Sequence, residues 1–134
     1  MLSRDQIIDT FSIFCCSSNR GFEALYTEKT DDIILCVSIG GTVFSANSHS
    51  YFVAFQKIRD KLLQQGYGLK CIGARIDVVQ SAMASATNKV YITALGNQAL
   101  KKDLKCLFDY ADISEFPNTK EQNEYLEKWI ESLG

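Results

Sequence analysis

Residues 33–46 read IILCVSIGGTVFSA, and this stretch decides the fold. From Ile33 to Ile39 every residue except Ser38 is apolar, and several are β-branched. Such a run predicts a central strand buried on both faces. Gly40-Gly41 follows, a pair with the backbone freedom of a two-residue hairpin loop. Residues 42–46 then supply the returning strand. Just upstream, residues 22–28 read as another strand, containing Tyr26, and Thr30-Asp31-Asp32 supplies the turn between the two. Three strands joined by short turns imply an antiparallel meander.

The flanks are read from their periodicity. Residues 3–16 predict an amphipathic helix. Ser3 with Gln6 forms a capping box, and Leu2 with Ile7 a hydrophobic staple. Ile7, Ile8, Phe11, Phe14 and Cys15 line one face. A second helix is expected over 50–65, with Phe52, Phe55, Ile58, Leu62 and Leu63 inward and Gly66 as its stop. Residues 67–76 suggest a strand. The Ser/Ala-rich stretch 77–88 suits a short helix or an ordered loop. Residues 89–95 alternate as a strand does. A helix is expected over 99–110 on Leu100, Leu104, Leu107 and Phe108, followed by a connector over 112–118 that contains Pro117. The last helix spans 119–133, capped either by Thr119 with Gln122 or by Asn118 with Glu121. It would bury Tyr125, Leu126, Trp129, Ile130 and Leu133. The expected order is αβββαββαα. That is an α+β fold with one mostly antiparallel sheet of about five strands covered by helices, in a single domain over 1–134.

Composition narrows the function. With 134 residues, 46% hydrophobic and 22% charged, the chain suits one globular domain with its own core. The net charge of −2 argues against a strong nucleic-acid binder, and Lys and Arg do not interleave with the aromatics as in RNA-recognition sheets. The charge is uneven: net −1 over 1–67, +4 over 68–102 and −5 over 103–134. The five cysteines are odd in number and include no CxxC pair. This argues against zinc ribbons and disulfide frameworks and favours a reducing cytosol. Asp5 and Asp9 interrupt any signal-peptide core, and the longest apolar run is about seven residues, too short for a bilayer.

Catalytic chemistry finds few residues. His49 is the single histidine, set in Ser48-His49-Ser50 at an expected helix start. Cys15 and Cys16 fall late in a helix, where the dipole disfavours a thiolate. Asp31-Asp32 fits turn chemistry. Gly40-Gly41 is too sparse for a phosphate loop. The stretch 75–89 stands apart, with Arg75, Asp77, Gln80, Ser81, Ser85, Thr87 and Asn88 set among small residues. Met83 in their midst is a soft side chain suited to a contact surface.

The segments Gly73-Ala74-Arg75-Ile76-Asp77-Val78, Ser81-Ala82-Met83 and residues 91–96, with Glu121-Gln122, Tyr125, Trp129 and Ser132-Leu133 in the last helix, resemble a group of small bacterial cytosolic proteins over residues 72–133. That group implies a Tyr-Pro after the Asp-Val and a Gly-rich run beyond. This chain has Val79-Gln80 and then Ala84-Ser85-Ala86-Thr87. In size, acidity and reduced cysteines, the chain is also similar to the immunity proteins of bacterial toxin systems, including contact-dependent growth inhibition.

The resemblance implies a cytoplasmic protein that binds a cognate toxin domain and occludes its active site. It implies no enzyme activity, no cofactor, no metal, no nucleic acid and no membrane, and a monomer or weak dimer. Acidic groups would meet a basic toxin surface. The expected contact set is Asp109, Asp112, Glu115, Glu121 and Glu124, joined by Arg75, Asp77 and Met83. Two other readings stand beside it. One is a small-ligand domain or enzyme with a pocket near Arg75, Asp77 and His49. The other is a regulatory or scaffold protein that self-associates through its helices.

Overall fold

The structure, a computed structural model, describes residues 9–14, 21–29, 32–39, 41–82, 84 and 87–134. Its first half is the expected meander with one strand more. β1 (Asp9–Phe14), β2 (Gly21–Lys29), β3 (Asp32–Ile39) and β4 (Thr42–Ser48) form a four-stranded antiparallel sheet in that order. The register Ile39↔Thr42 leaves a two-residue loop, and Gly41 has φ +85°, which a side chain rarely permits. The helix expected over 3–16 is overturned where it is described. Residues 9–14 pair with β2 from Asp9↔Tyr26 to Phe14↔Gly21. The remainder of that expected helix, the turn residues 30–31 and Gly40 lie outside the described residues.

β3 is buried on one face. Ile33, Leu35 and Val37 are buried, Ile34 and Cys36 half-buried, and Ser38 exposed. The reason is that α1 (Tyr51–Gln64) packs against β3 and β4 from that side. Ser50 caps α1, its Oγ accepting from Val53 N–H at 3.3 Å. Gly66, with φ +85°, closes its end as Gly66 N–H donates to Leu63 O and Tyr67 N–H to Leu62 O. Ala54, Phe55, Ile58 and Leu62 are fully buried beneath the sheet. Each large apolar side chain so buried contributes about 1.5–3 kcal/mol before entropy is counted.

The second half departs further from expectation. Residues 67–76 form no strand. Cys71 makes an isolated bridge with Tyr110, and Ile72–Ala74 is a 3₁₀ turn. Residues 107–111 lie beside 70–73, with Ile72 N–H donating to Asp109 O and Gly73 N–H to Leu107 O, both at 2.8 Å. β5 (Val78–Val79), β6 (Lys89–Ile92) and β7 (Leu104–Cys106) form a second antiparallel sheet, so the expected single sheet is two. The helix expected over 99–110 is replaced by a 3₁₀ turn at Lys101–Asp103 and by β7. Leu107 and Phe108 are buried, but against the 70–73 backbone and α1. Phe108 meets Phe55 edge-on, with ring centroids 6.1 Å apart. One hydrophobic cluster runs from Ile33 and Leu35 through α1 to Val78, Val90 and Leu107.

α2 (Thr119–Ser132) forms as expected. It lies nearer the surface than its apolar spacing implies. Tyr125, Leu126 and Trp129 are half-buried, Ile130 and Leu133 are exposed, and Gln122 is its one fully buried residue. Its end is tethered by Trp129 Nε1–H to Asn97 O at 2.9 Å and by Gly96 N–H to Ser132 Oγ at 2.8 Å.

Candidate functional site, an acidic cleft around Arg75

The cap of α2 decides the geometry of this region. Asn118 Oδ1 accepts from Glu121 N–H at 2.9 Å, and Glu121 Oε1 accepts from Asn118 N–H at 3.1 Å. Because this pair takes the cap, Gln122 is released to point inward. Its Nε2 donates to Gly73 O at 3.0 Å and to Arg75 O at 2.7 Å. Its Oε1 accepts from Gln56 Nε2 at 3.0 Å and from Arg59 Nη2 at 2.7 Å. Arg59 is only 1% exposed, and its Nε also donates to Asp60 Oδ1 at 2.8 Å. Burial pulls the Arg59 guanidinium below its ordinary value, and the hydrogen-bonded Asp60 carboxylate opposes that pull. Arg59 Nη1 is buried without a hydrogen-bond partner among the described residues.

This buried seam fixes the backbone of residues 73–75, and the Arg75 side chain leaves on the other side. It forms a two-point pair with Asp77, Nε to Oδ1 at 2.8 Å and Nη2 to Oδ2 at 2.7 Å. The Asp77 hydrogen bond holds the Arg75 guanidinium above its ordinary value. Thr93 in turn holds Asp77 by its backbone. Its N–H and Oγ1–H both donate to Asp77 O, at 2.9 and 2.8 Å.

Facing this pair are residues of the 112–118 connector. Together they line an open cleft of about 310 Å³, to which Asp112, Glu115, Ile113 and Pro117 contribute along with Arg75 and Asp77. Asp112 is 81% exposed, with Lys70 Nζ 3.6 Å away and Tyr110 donating at 3.4 Å. Glu115 is exposed. The lining thus combines the apolar Ile113 and Pro117, one cation already committed to Asp77, and two further carboxylates, Asp112 and Glu115.

Four of the sequence-derived residues therefore meet: Arg75, Asp77, Asp112 and Glu115. Asp109 does not line the cleft. It is exposed after β7, and its backbone carbonyl accepts from Ile72 N–H. Glu121 is committed to the helix cap, and Glu124 is exposed on α2 away from the lining. Met83 lies outside the described residues. His49 is exposed and does not line this cleft. The inward set of Gln56, Arg59 and Gln122 was missed. The signal present was Gln122 as the unused alternative of two possible caps. Ser50, Val53, Gln56, Val79, Asn123 and Leu126 line a second, uncharged cleft of similar size between α1, β5 and α2.

Cys71 is buried, and its thiol is pushed up to about 12, chiefly by burial and then by Cys106 and Asp109 nearby. It is a core group rather than a nucleophile. Among the described residues, no three His, Cys, Asp or Glu side chains cluster to hold a metal ion, and no helix is long and apolar enough to cross a membrane. Neither a protein-family model nor a curated protein matches the chain.

Proposed function

We propose that this chain is an immunity-type protein of the cytoplasm that binds a cognate toxin domain and occludes its active site, acting without chemistry of its own. The convergence of residues 75–77 with residues 112–117 on one acidic cleft carries this reading. Arg75 is spent on Asp77 and Lys70 approaches the solvated Asp112 only to 3.6 Å, so Asp112 and Glu115 still offer charge to a partner. A lysine or arginine of the toxin would enter with its stem against Ile113 and Pro117 and its head between the two carboxylates. The partner class is a basic protein surface, and complementary charge would speed the encounter as well as hold it.

The test is co-purification of this chain with the C-terminal domain encoded by the neighbouring reading frame, followed by calorimetric titration. A one-to-one complex weakened roughly tenfold or more by Asp112→Lys and Glu115→Lys supports the reading. A complex indifferent to both reversals moves the interface elsewhere, and the lack of any complex overturns it. The ligand reading keeps one supporting observation. A cleft of about 310 Å³ is at the small end of ligand pockets. A thermal shift with free arginine or a polyamine, abolished by Glu115→Lys in the absence of any protein partner, would favour it.

A further inference from the structure

β4 is the last strand of the first sheet, and among the described residues no other strand pairs with its outer edge. The two-residue loop makes Ile39 and Thr42 a pair that exchanges both backbone bonds, so along β4 the outward positions are Val43, Ser45 and Asn47. Two lysines of α1 reach over to this edge. Lys61 Nζ donates to Ser45 O at 2.6 Å, and Lys57 Nζ donates to Asn47 O at 3.1 Å. The N–H groups of Ser45 and Asn47 point the same way and meet no acceptor among the described residues. Val43, Ser45 and Asn47 are all exposed. The edge is therefore a row of backbone donors flanked by two ammonium groups. The one carboxylate of α1, Asp60, is turned away to Arg59 and Thr119.

We propose that this edge accepts an extended acidic segment of a partner protein as an added strand. The segment's carbonyls would take the Ser45 and Asn47 N–H groups, and its own N–H groups would take over the Ser45 and Asn47 carbonyls. The displaced ammonium heads, on flexible four-carbon stems, swing out to carboxylates at alternate positions of the guest. Charge argues against a second copy of this chain as the guest. β4 carries no carboxylate, and antiparallel pairing of two such edges would bring four lysines together. A lone edge guarded by lysines is also a known defence against aggregation, and the test separates the two roles. The proposal stands apart from the cleft and does not rest on the toxin reading.

The experiment uses the full chain and two labelled, acetylated peptides, one alternating Glu and Val, the other alternating Lys and Val. Binding is followed by fluorescence anisotropy and by amide hydrogen exchange. The acidic peptide is expected to bind at least roughly tenfold tighter than the basic one. It should slow exchange at Ser45 and Asn47. Ser45→Pro removes one outward N–H and no bond to β3, so it should weaken binding roughly tenfold with the circular-dichroism spectrum unchanged. The Lys57→Glu/Lys61→Glu double variant should weaken it as much without touching the backbone. Equal binding of both peptides, or of the acidic peptide by both variants, overturns the proposal. So does an absence of binding at millimolar peptide. Concentration-dependent dimerisation of the wild type that Ser45→Pro abolishes overturns it in favour of self-pairing. Self-association of Lys57→Ala/Lys61→Ala without peptide binding would make the lysines guards alone.

Discussion

Arg75 is held from two sides that could hardly differ more. On the inner side, the Gln122 amide grips its carbonyl, and that amide is tied in turn to Gln56 and Arg59. On the outer side, its guanidinium meets Asp77 in a pair that is 33% and 23% exposed, with the solvated Asp112 and Glu115 beyond. Hydrogen bonds hold both sides, yet burial gives them opposite weight. An inner group that loses its partner has no water to replace it, whereas an outer one is rehydrated at once. The inner side thus sets stability, and the outer side is where the proposed recognition would act.

The largest effect is expected from Gln122→Leu. It strips partners from Gln56, Arg59 and the Gly73 and Arg75 carbonyls together. A loss of about 3 kcal/mol in urea unfolding follows, since several buried groups lose a partner at once, among them the Arg59 guanidinium, which keeps only Asp60 and Thr119. A loss under about 1 kcal/mol would mean that water enters the seam, and the contrast between the two sides would fail. Gly73→Ala probes the same side by packing. A Cβ there would lie 3.1 Å from Leu107 Cβ, Leu107 O and a Phe55 ring carbon. Backbone on one side and a packed ring on the other leave little room to yield, so about 1–3 kcal/mol is expected.

Legibility in the sequence follows the same division. The elements read correctly are those whose partner is adjacent in the chain: the hairpin around Gly41, α1 between Ser50 and Gly66, and α2 after Asn118. Those misread are settled by distant partners. Leu100, Leu104, Leu107 and Phe108 have helical spacing, but residues 104–106 pair with β6 and Leu107 docks on Gly73. Residues 9–14 carry Phe11 and Phe14 at helical spacing and also alternate as a strand does. Pairing with β2 chose the second pattern. In the cleft, Arg75 and Asp77 were legible as polar residues of the stretch 75–89, and Asp112 and Glu115 as acidic residues of a connector. Their meeting was not legible, because it depends on residues 107–111 lying beside 70–73.

A third measurement sharpens the inner side by pH. The Cys71 thiol is held up to about 12 against an ordinary value of 9.0. Below pH 9 the folded and unfolded states both keep the proton. Between 9 and about 12 only the unfolded state releases it, so the unfolded state gains and stability falls as pH rises. The slope from this group is at most about 1.4 kcal/mol per pH unit. Cys71→Ala should flatten it, and peptide mapping after iodoacetamide at pH 8 should find Cys71 unmodified in the folded chain and alkylated in urea. Alkylation of Cys71 in the folded chain would show that the inner side opens.

The smallest effect on stability, and the one that tests the proposed function, belongs to the outer side. Asp112→Lys/Glu115→Lys reverses two exposed charges that, among the described residues, are tied to the fold by a 3.6 Å approach of Lys70 and a 3.4 Å contact with Tyr110. Its melting temperature should match the wild type within experimental scatter, because nothing buried is left unpaired. Its affinity for a basic toxin domain should fall roughly tenfold or more, with the steepest loss at low salt, where unscreened charge acts furthest. The pairing of an unchanged melt with lost binding is the informative result. A lowered melt would show that Asp112 and Glu115 help to hold the 112–118 connector in place. The outer side would then share the structural work of the inner one, and a loss of binding could no longer be assigned to charge alone.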